Sequence, residues 1–140
     1  MPDGLLDTNP FLHAQTQDVL SEECRRFLRA LERGDVRARL EPLVLHELSY
    51  ALRHYVKQMT RADVAQYLLS VLNWPGVDGD KVVMVEAVQG WGSTPGLGFV
   101  DAYLATLAVR ERRPVFTKNV AELAAQGADV PDTLPDSSPS

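Results

Sequence analysis

Apolar residues near the start of the chain predict a short strand followed by a helix. Leu5 and Leu6 form an apolar pair that ends at Asp7, as a short strand would. Between Asp18 and Arg33, apolar residues recur at the spacing of one helical face, and a glycine follows where the helix would end. The apolar residues of this face are Leu20, Cys24, Phe27, Leu28 and Leu31.

The next part of the chain predicts a second strand and two helices. Residues 35–40, "DVRARL", alternate apolar and charged side chains, which is typical of a strand. Pro42 suits the first turn of a helix with the sequence "LVLHELSYALRHYV". Thr60 suits the cap of a third helix that runs from Arg61 to about Asn73.

Residues 81–91, "KVVMVEAVQGW", are compatible with either a strand or a helix. The valines favour a strand, whereas the length of the segment and Glu86, Ala87 and Gln89 favour a helix, which is the structure we predict. The segment follows "NWPGVDGD" at residues 73–80, a cluster typical of a turn.

The C-terminal part predicts two further strands. The predicted elements are a helix "FVDAYLATLAVRER", a strand "PVFT", a short helix "KNVAEL" and a last strand near residues 128–130. Strands that alternate with helices indicate an α/β fold with a mostly parallel sheet. Residues 131–140 are rich in proline, serine and aspartate, so we expect one domain over residues 1–130 and a disordered tail.

Composition limits the classes of protein that fit this pattern. The 140 residues are 45% hydrophobic, which suits one compact domain. No apolar run approaches the roughly 20 residues of a membrane span, and no signal-like segment opens the chain, so we expect a cytoplasmic protein. A single cysteine excludes disulfides within the chain and thiolate zinc sites. The net charge of −5 argues against tight charge-driven binding to nucleic acid, but does not exclude an enzyme that acts on phosphates.

Polar side chains follow two of the predicted strands. Asp7, Thr8 and Asn9 end the first, and Thr117 and Asn119 end a later one. Turn chemistry explains each cluster locally, because these side chains bond neighbouring backbone. An active site is the alternative, since ligands of parallel sheets bind beyond the carboxyl ends of the strands.

Two acids lie on apolar helices. A helical wheel places Glu47 at the border between a core face with Leu45, Leu48, Leu52, Tyr55 and Val56 and a wet face with His46, Ser49 and Arg53. Asp101 lies in the first turn of an apolar helix, on the side of Leu104, Ala105 and Ala108. A boundary glutamate and a helix-dipole aspartate are the structural explanations, and a buried site is the functional one.

Four stretches, "LLDTNPFL", "LVLHELSYAL", "FVDAYLATLA" and "VFTKNVAEL", resemble in order and spacing the four motifs of the PIN-domain nucleases, most closely the VapC-type ribonuclease toxins. The resemblance implies a parallel sheet of four or five strands flanked by helices. It also implies that Asp7, Glu47 and Asp101, with Asn119, form the catalytic site, that the three acids hold Mg²⁺ or Mn²⁺, and that water hydrolyses an RNA phosphodiester.

The resemblance further implies supporting residues and partners. Thr8, Asn9 and Thr117 would orient Asp7 or a metal-bound water, and Lys118, Arg53 and Lys57 are candidates for phosphate contact. A small antitoxin with a basic segment would block the site, and the toxin would form a homodimer.

The chain departs from the family at Asn119, where many relatives carry an aspartate. An amide adds no negative charge, so a second metal would be held less firmly, unless Glu122 supplies the carboxylate. A PIN-like binding module with a degraded site therefore stays open as the alternative function.

Overall fold

The structure is a computed structural model that describes residues 3–137. Three short strands are present in this range, namely β1 (Gly4–Leu5), β2 (Ala38–Arg39) and β3 (Val77–Asp78). The helices are α1 (Asn9–His13), α2 (Ser21–Arg33), α3 (Pro42–Tyr55), α4 (Arg61–Leu72), α5 (Lys81–Ser93), α6 (Phe99–Glu111) and α7 (Val120–Ala124).

The three strands form one parallel sheet in the order β1-β2-β3. Gly4 pairs with Ala38, which in turn pairs with Val77. Helices α1 and α2 connect β1 to β2, and α3 and α4 connect β2 to β3, as parallel neighbours require. The predicted α/β class with a parallel sheet is therefore confirmed.

Helix boundaries follow local sequence signals. The Thr60 hydroxyl accepts from the Asp63 amide, and the Asp63 carboxylate accepts from the Thr60 amide, so α4 begins with a complete capping box. Helix α2 ends at Gly34, whose φ of 83° lies in the left-handed region that glycine tolerates. Pro42 occupies the first turn of α3, as predicted.

Two groups of buried side chains hold the elements together. The larger packs the sheet against α1 to α5 and the start of α6, and its centre is formed by fully buried residues such as Leu45, Leu48 and Leu68. The smaller lies along the second half of α6 and is formed by Ala105, Ala108, Val115, Leu123 and Ala128. The segment after α6 is thus anchored to α6 by its own small core.

Strand β3 lies inside the segment predicted to be a turn, so that part of the prediction is wrong. The Ala38 amide donates to the Gly76 carbonyl at 2.8 Å, and Val77 is fully buried. A side chain on Gly76 would place its Cβ 2.2 Å from the Val36 carbonyl oxygen, so this glycine serves close packing of two backbones. Residues 81–91 lie within α5, which confirms the helical alternative.

The fourth and fifth strands of the predicted sheet are not confirmed. Residues 113–119 contain neither helix nor strand in the structure, and the same holds for residues 128–137. The two segments meet through a hydrogen bond from the Val115 amide to the Asp129 carbonyl, at 2.9 Å. Phe116 is 59% exposed, so no neighbouring strand covers it.

Residues 138–140 of the predicted disordered tail lie outside the described residues. None of the helices in residues 3–137 is long and apolar enough to cross a membrane.

Candidate functional site

Asp7 lies immediately beyond the carboxyl end of β1 and is exposed. The neighbouring Thr8 carbonyl accepts from the Phe11 amide at 3.1 Å, so the tripeptide Asp7–Asn9 does form the turn that begins α1. Thr8 is only 2% exposed, and its hydroxyl oxygen is buried with no hydrogen-bond partner among the described residues. A buried polar group costs free energy when unpaired, which makes Thr8 an exception that turn chemistry alone does not explain.

Glu47 lies on α3, and the helical wheel misplaces it. Glu47 is exposed, not at the border of the core, and Tyr55 is 59% exposed although the wheel puts it on the core face. Ser49 is 5% exposed although the wheel puts it on the wet face. Its hydroxyl donates to the His46 carbonyl at 2.6 Å, and this internal hydrogen bond lets a polar side chain lie inside.

Asp101 and Asn119 are brought together by the packing of the 115–128 segment on α6. Asp101 is half-buried in the first turn of α6, and its Oδ2 accepts from the Asn119 Nδ2 at 3.3 Å. The backbone amide of Asn119 donates to the Thr117 Oγ1 at 3.0 Å. Ala105 and Ala108 are buried on the same helix, and their small side chains let the 115–128 segment approach α6 closely. Asn119 of that segment is thus a hydrogen-bond partner of Asp101.

The three predicted acids do not form one cluster in this structure. Residues 3–137 contain no group of three histidine, cysteine or acidic side chains able to hold a metal ion. Carboxylate and amide oxygens are the donors that Mg²⁺ and Mn²⁺ prefer, so the chemistry of Asp7, Glu47, Asp101 and Asn119 is suitable. Their arrangement, however, does not amount to a complete metal site.

The remaining predicted residues occupy different surroundings. Asn9 is exposed as the first residue of α1. The Lys118 ammonium donates to the Asp132 carbonyl at 3.4 Å. Glu122 is exposed in the first turn of α7. Arg53 lines a groove beside α3, and no hydrogen bond or ion pair of its side chain is present in residues 3–137.

That groove contains residues that inspection of the sequence did not select. Its walls include His46, which precedes Glu47, and Phe99, which precedes Asp101 by two residues. The two rings are stacked with centroids 6.1 Å apart. The signal in the sequence was present, because groove residues of α3 recur from His46 through Tyr50 to Arg53 at the spacing of one helical face.

The protein is a small α/β domain with a parallel sheet, and it has acids beyond the first strand and at the start of α6. Proteins of this class bind their ligands at the carboxyl edge of the sheet. Comparison with known families gives the particular one. The family model described as the PIN domain matches residues 4–124, and the chain belongs to this family. PIN domains are generally nucleases and typically use divalent metal ions. No curated protein matches the chain.

Proposed function

We propose that this protein is an endoribonuclease that hydrolyses RNA phosphodiester bonds with Mg²⁺ or Mn²⁺, and that it is the toxin of a type II toxin–antitoxin pair of the VapC type. The observation that carries the proposal is the match to the PIN domain, because residues 4–124 contain all four acidic and polar stretches. The sheet of such an enzyme would have four or five strands, with the segment at Val115 as one of them.

Asp7, Glu47 and Asp101 are the proposed acidic residues of the active site. Asp7 and Glu47 are exposed and make no hydrogen bond or ion pair through their side chains in residues 3–137, so both carboxylates are available to a ligand. Asp101 is held by Asn119, and Asn119 is held by Thr117. Thr8 and Asn9 follow Asp7 directly in the chain, where they are proposed to orient it. Mg²⁺ or Mn²⁺ would supply charge neutralisation at the scissile phosphate.

A binding module with a degraded site is the second candidate. Two observations favour it: Asn119 is neutral where an acid would add charge, and the described acids are not gathered into a group of three. Such a module would bind RNA or protein and leave phosphodiester bonds intact.

Cleavage of a mixed pool of structured RNAs separates the two candidates. The purified protein is incubated with Mg²⁺, with Mn²⁺ or with EDTA, beside Asp7→Asn and Asp101→Asn. Glu23→Gln is the matched control, because Glu23 is an exposed acid on α2 with no ion pair in the described structure. We expect metal-dependent cutting that falls at least about a hundredfold in the two aspartate variants and stays unchanged in the control.

Cutting in EDTA, or cutting that survives both aspartate substitutions, would show that the site is misassigned. A folded protein that neither cuts RNA nor binds Mn²⁺ in calorimetry would establish the binding module instead. Sequencing the 5′ ends of the products then identifies the target.

The proposal includes partners and a location. A small antitoxin with a basic segment would cover the acidic residues, and the net charge of −5 suits such a partner. The toxin would act as a homodimer in the cytoplasm, and light scattering of the purified protein at several concentrations measures the mass of the assembly.

A further inference from the structure

A groove of about 520 Å³ runs along α3 toward the start of α6. We call it the basic groove and define it by Arg53, Lys57, Arg61, His46, Tyr50 and Trp91. No aspartate or glutamate is among the described residues that line it, although acids outnumber lysines and arginines by 19 to 14 in the whole chain. The groove is therefore positive on a protein that is negative overall.

The cations of the basic groove lack acidic partners. Seven of the eleven arginines form ion pairs with carboxylates, whereas Arg53 and Lys57 form none in residues 3–137. Arg53 lies in the last turn of α3 and Lys57 lies two residues beyond its end, and both line the groove. Burial and the nearby charge of Arg53 also lower the pKa of the Arg61 guanidinium. Repulsion between neighbouring cations would be relieved by a bound anion.

Aromatic rings line the same groove. Tyr50 is 57% exposed, and its ring meets the His46 ring edge to face at 5.5 Å. The Arg61 guanidinium lies over the Trp91 ring, 4.6 Å from its centroid. The His46 Nδ1 is buried and has no hydrogen-bond partner among the described residues. Trp91 is only 4% exposed, so Tyr50 is the ring among these three that is open to a ligand. An exposed ring between cations suits a ligand that carries both phosphates and flat bases.

We propose that the basic groove binds single-stranded RNA and leads it to Asp101 and Glu47. The choice of RNA rests on the proposed function, and the proposed path rests on the two helices that line the groove with His46 and Phe99, since α3 also carries Glu47 and α6 also carries Asp101. Arg53 and Lys57 contact phosphates, and Tyr50 stacks on a base. A single strand fits better than a duplex, because the base faces on which Tyr50 would stack are covered by neighbouring base pairs in a duplex and free in a single strand.

Fluorescence anisotropy in EDTA tests binding without cleavage. The probe is a labelled, unstructured RNA of about 16 nucleotides, and a hairpin duplex is the comparison. The double variant Arg53→Gln/Lys57→Gln removes two groove cations. Arg26→Gln/Arg112→Gln is the matched control, because both arginines are exposed and unpaired in the described structure. Arg26 lies on α2, and Arg112 follows α6 roughly 20 Å from the end that meets the groove.

We expect the groove variant to bind the single strand more weakly and to lower the slope of log affinity against log salt by about 1.4, since each single-strand phosphate contact contributes about 0.7. The control pair should change the slope much less. Tyr50→Ala should weaken binding about tenfold with an unchanged slope, because stacking does not depend on salt. The duplex should bind more weakly than the single strand.

Equal slopes for the two double variants would overturn the proposal. So would an unchanged affinity in Tyr50→Ala, tighter binding of the duplex, or displacement of the RNA by an equal charge of polyglutamate. Cleavage assays keep the two proposals apart. If the wild type cuts RNA and the groove variant binds RNA as tightly as the wild type, the groove proposal is refuted and the nuclease proposal stands. If the wild type binds RNA through the groove but does not cut it with metal, the nuclease proposal alone is refuted.

Discussion

Replacing Asn119 by aspartate tests the contact that the structure places at the start of α6. The side-chain amide nitrogen of Asn119, Nδ2, donates to the Asp101 carboxylate at 3.3 Å. Asn119→Asp removes this donor and sets a second negative charge in its place.

The energetic cost has two parts. A lost hydrogen bond costs about 1 kcal/mol. Two carboxylates at this separation repel by about 1 kcal/mol in surroundings close to water, which apply because Asn119 is exposed and Asp101 only half-buried. The sum of about 2 kcal/mol corresponds to a fall in Tm of roughly 6 to 8 °C for a chain of this size. Asn119→Ala, which loses the hydrogen bond without adding charge, should fall by about half as much.

Thermal unfolding in EDTA and in Mn²⁺ separates the two effects. In EDTA the order of Tm should be wild type, then Asn119→Ala, then Asn119→Asp. In Mn²⁺ the aspartate variant should gain the most, because a cation between two carboxylates cancels their repulsion and binds only the folded chain. Calorimetry should show tighter Mn²⁺ binding than in the wild type. An unchanged Mn²⁺ affinity, or equal Tm values for the alanine and aspartate variants in EDTA, would refute the reasoning.

Two further predictions concern the fold. Gly76→Ala should abolish or severely weaken folding, because the new Cβ would lie 2.2 Å from the Val36 carbonyl oxygen, while Gly4→Ala, with nothing within 4 Å, should leave the Tm almost unchanged. Thr60→Ala should cost about 1 kcal/mol through loss of the capping box with Asp63, measured by urea unfolding, and a variant as stable as the wild type would contradict the role of that cap.

The helices were predictable because their signals are local. A capping threonine, a proline in the first turn and a glycine at the end act within a few residues, and each marks a boundary within α2, α3 or α4. Strand β3 was missed because it lies within the glycine- and proline-containing stretch "NWPGVDGD", which is typical of a turn. Its pairing with β2 depends on residues 39 positions earlier in the chain, since Ala38 pairs with Val77. The segment at Val115 is apolar, as a strand would be, yet it packs on α6. The composition of a short apolar segment does not determine whether it joins a sheet or packs on a helix.

Sequence patterns selected the acids of the site but not their surroundings. The contact between Asp101 and Asn119 depends on how the 115–128 segment folds back, which spacing along the chain does not specify. Ser49 shows the same limit, because its burial depends on a hydrogen bond to its own helix. The aromatic and basic side chains of the groove come from four helices, α3 to α6, and from Lys57 after α3, so only the α3 face was visible as a periodic pattern.

Arg61 differs from the other cations of the basic groove in how much freedom it has left. Its Nη1 donates to the Trp91 and Leu97 carbonyls at 2.9 and 2.8 Å, and its guanidinium rests on an indole ring. Three of its five N–H donors are not used by these bonds. The conformational entropy of this side chain was lost when the protein folded, so a ligand that contacts it does not bear that cost again. Arg53 and Lys57 must still be ordered when RNA binds. Arg61 is therefore the cation of the groove whose position is already fixed before RNA binds.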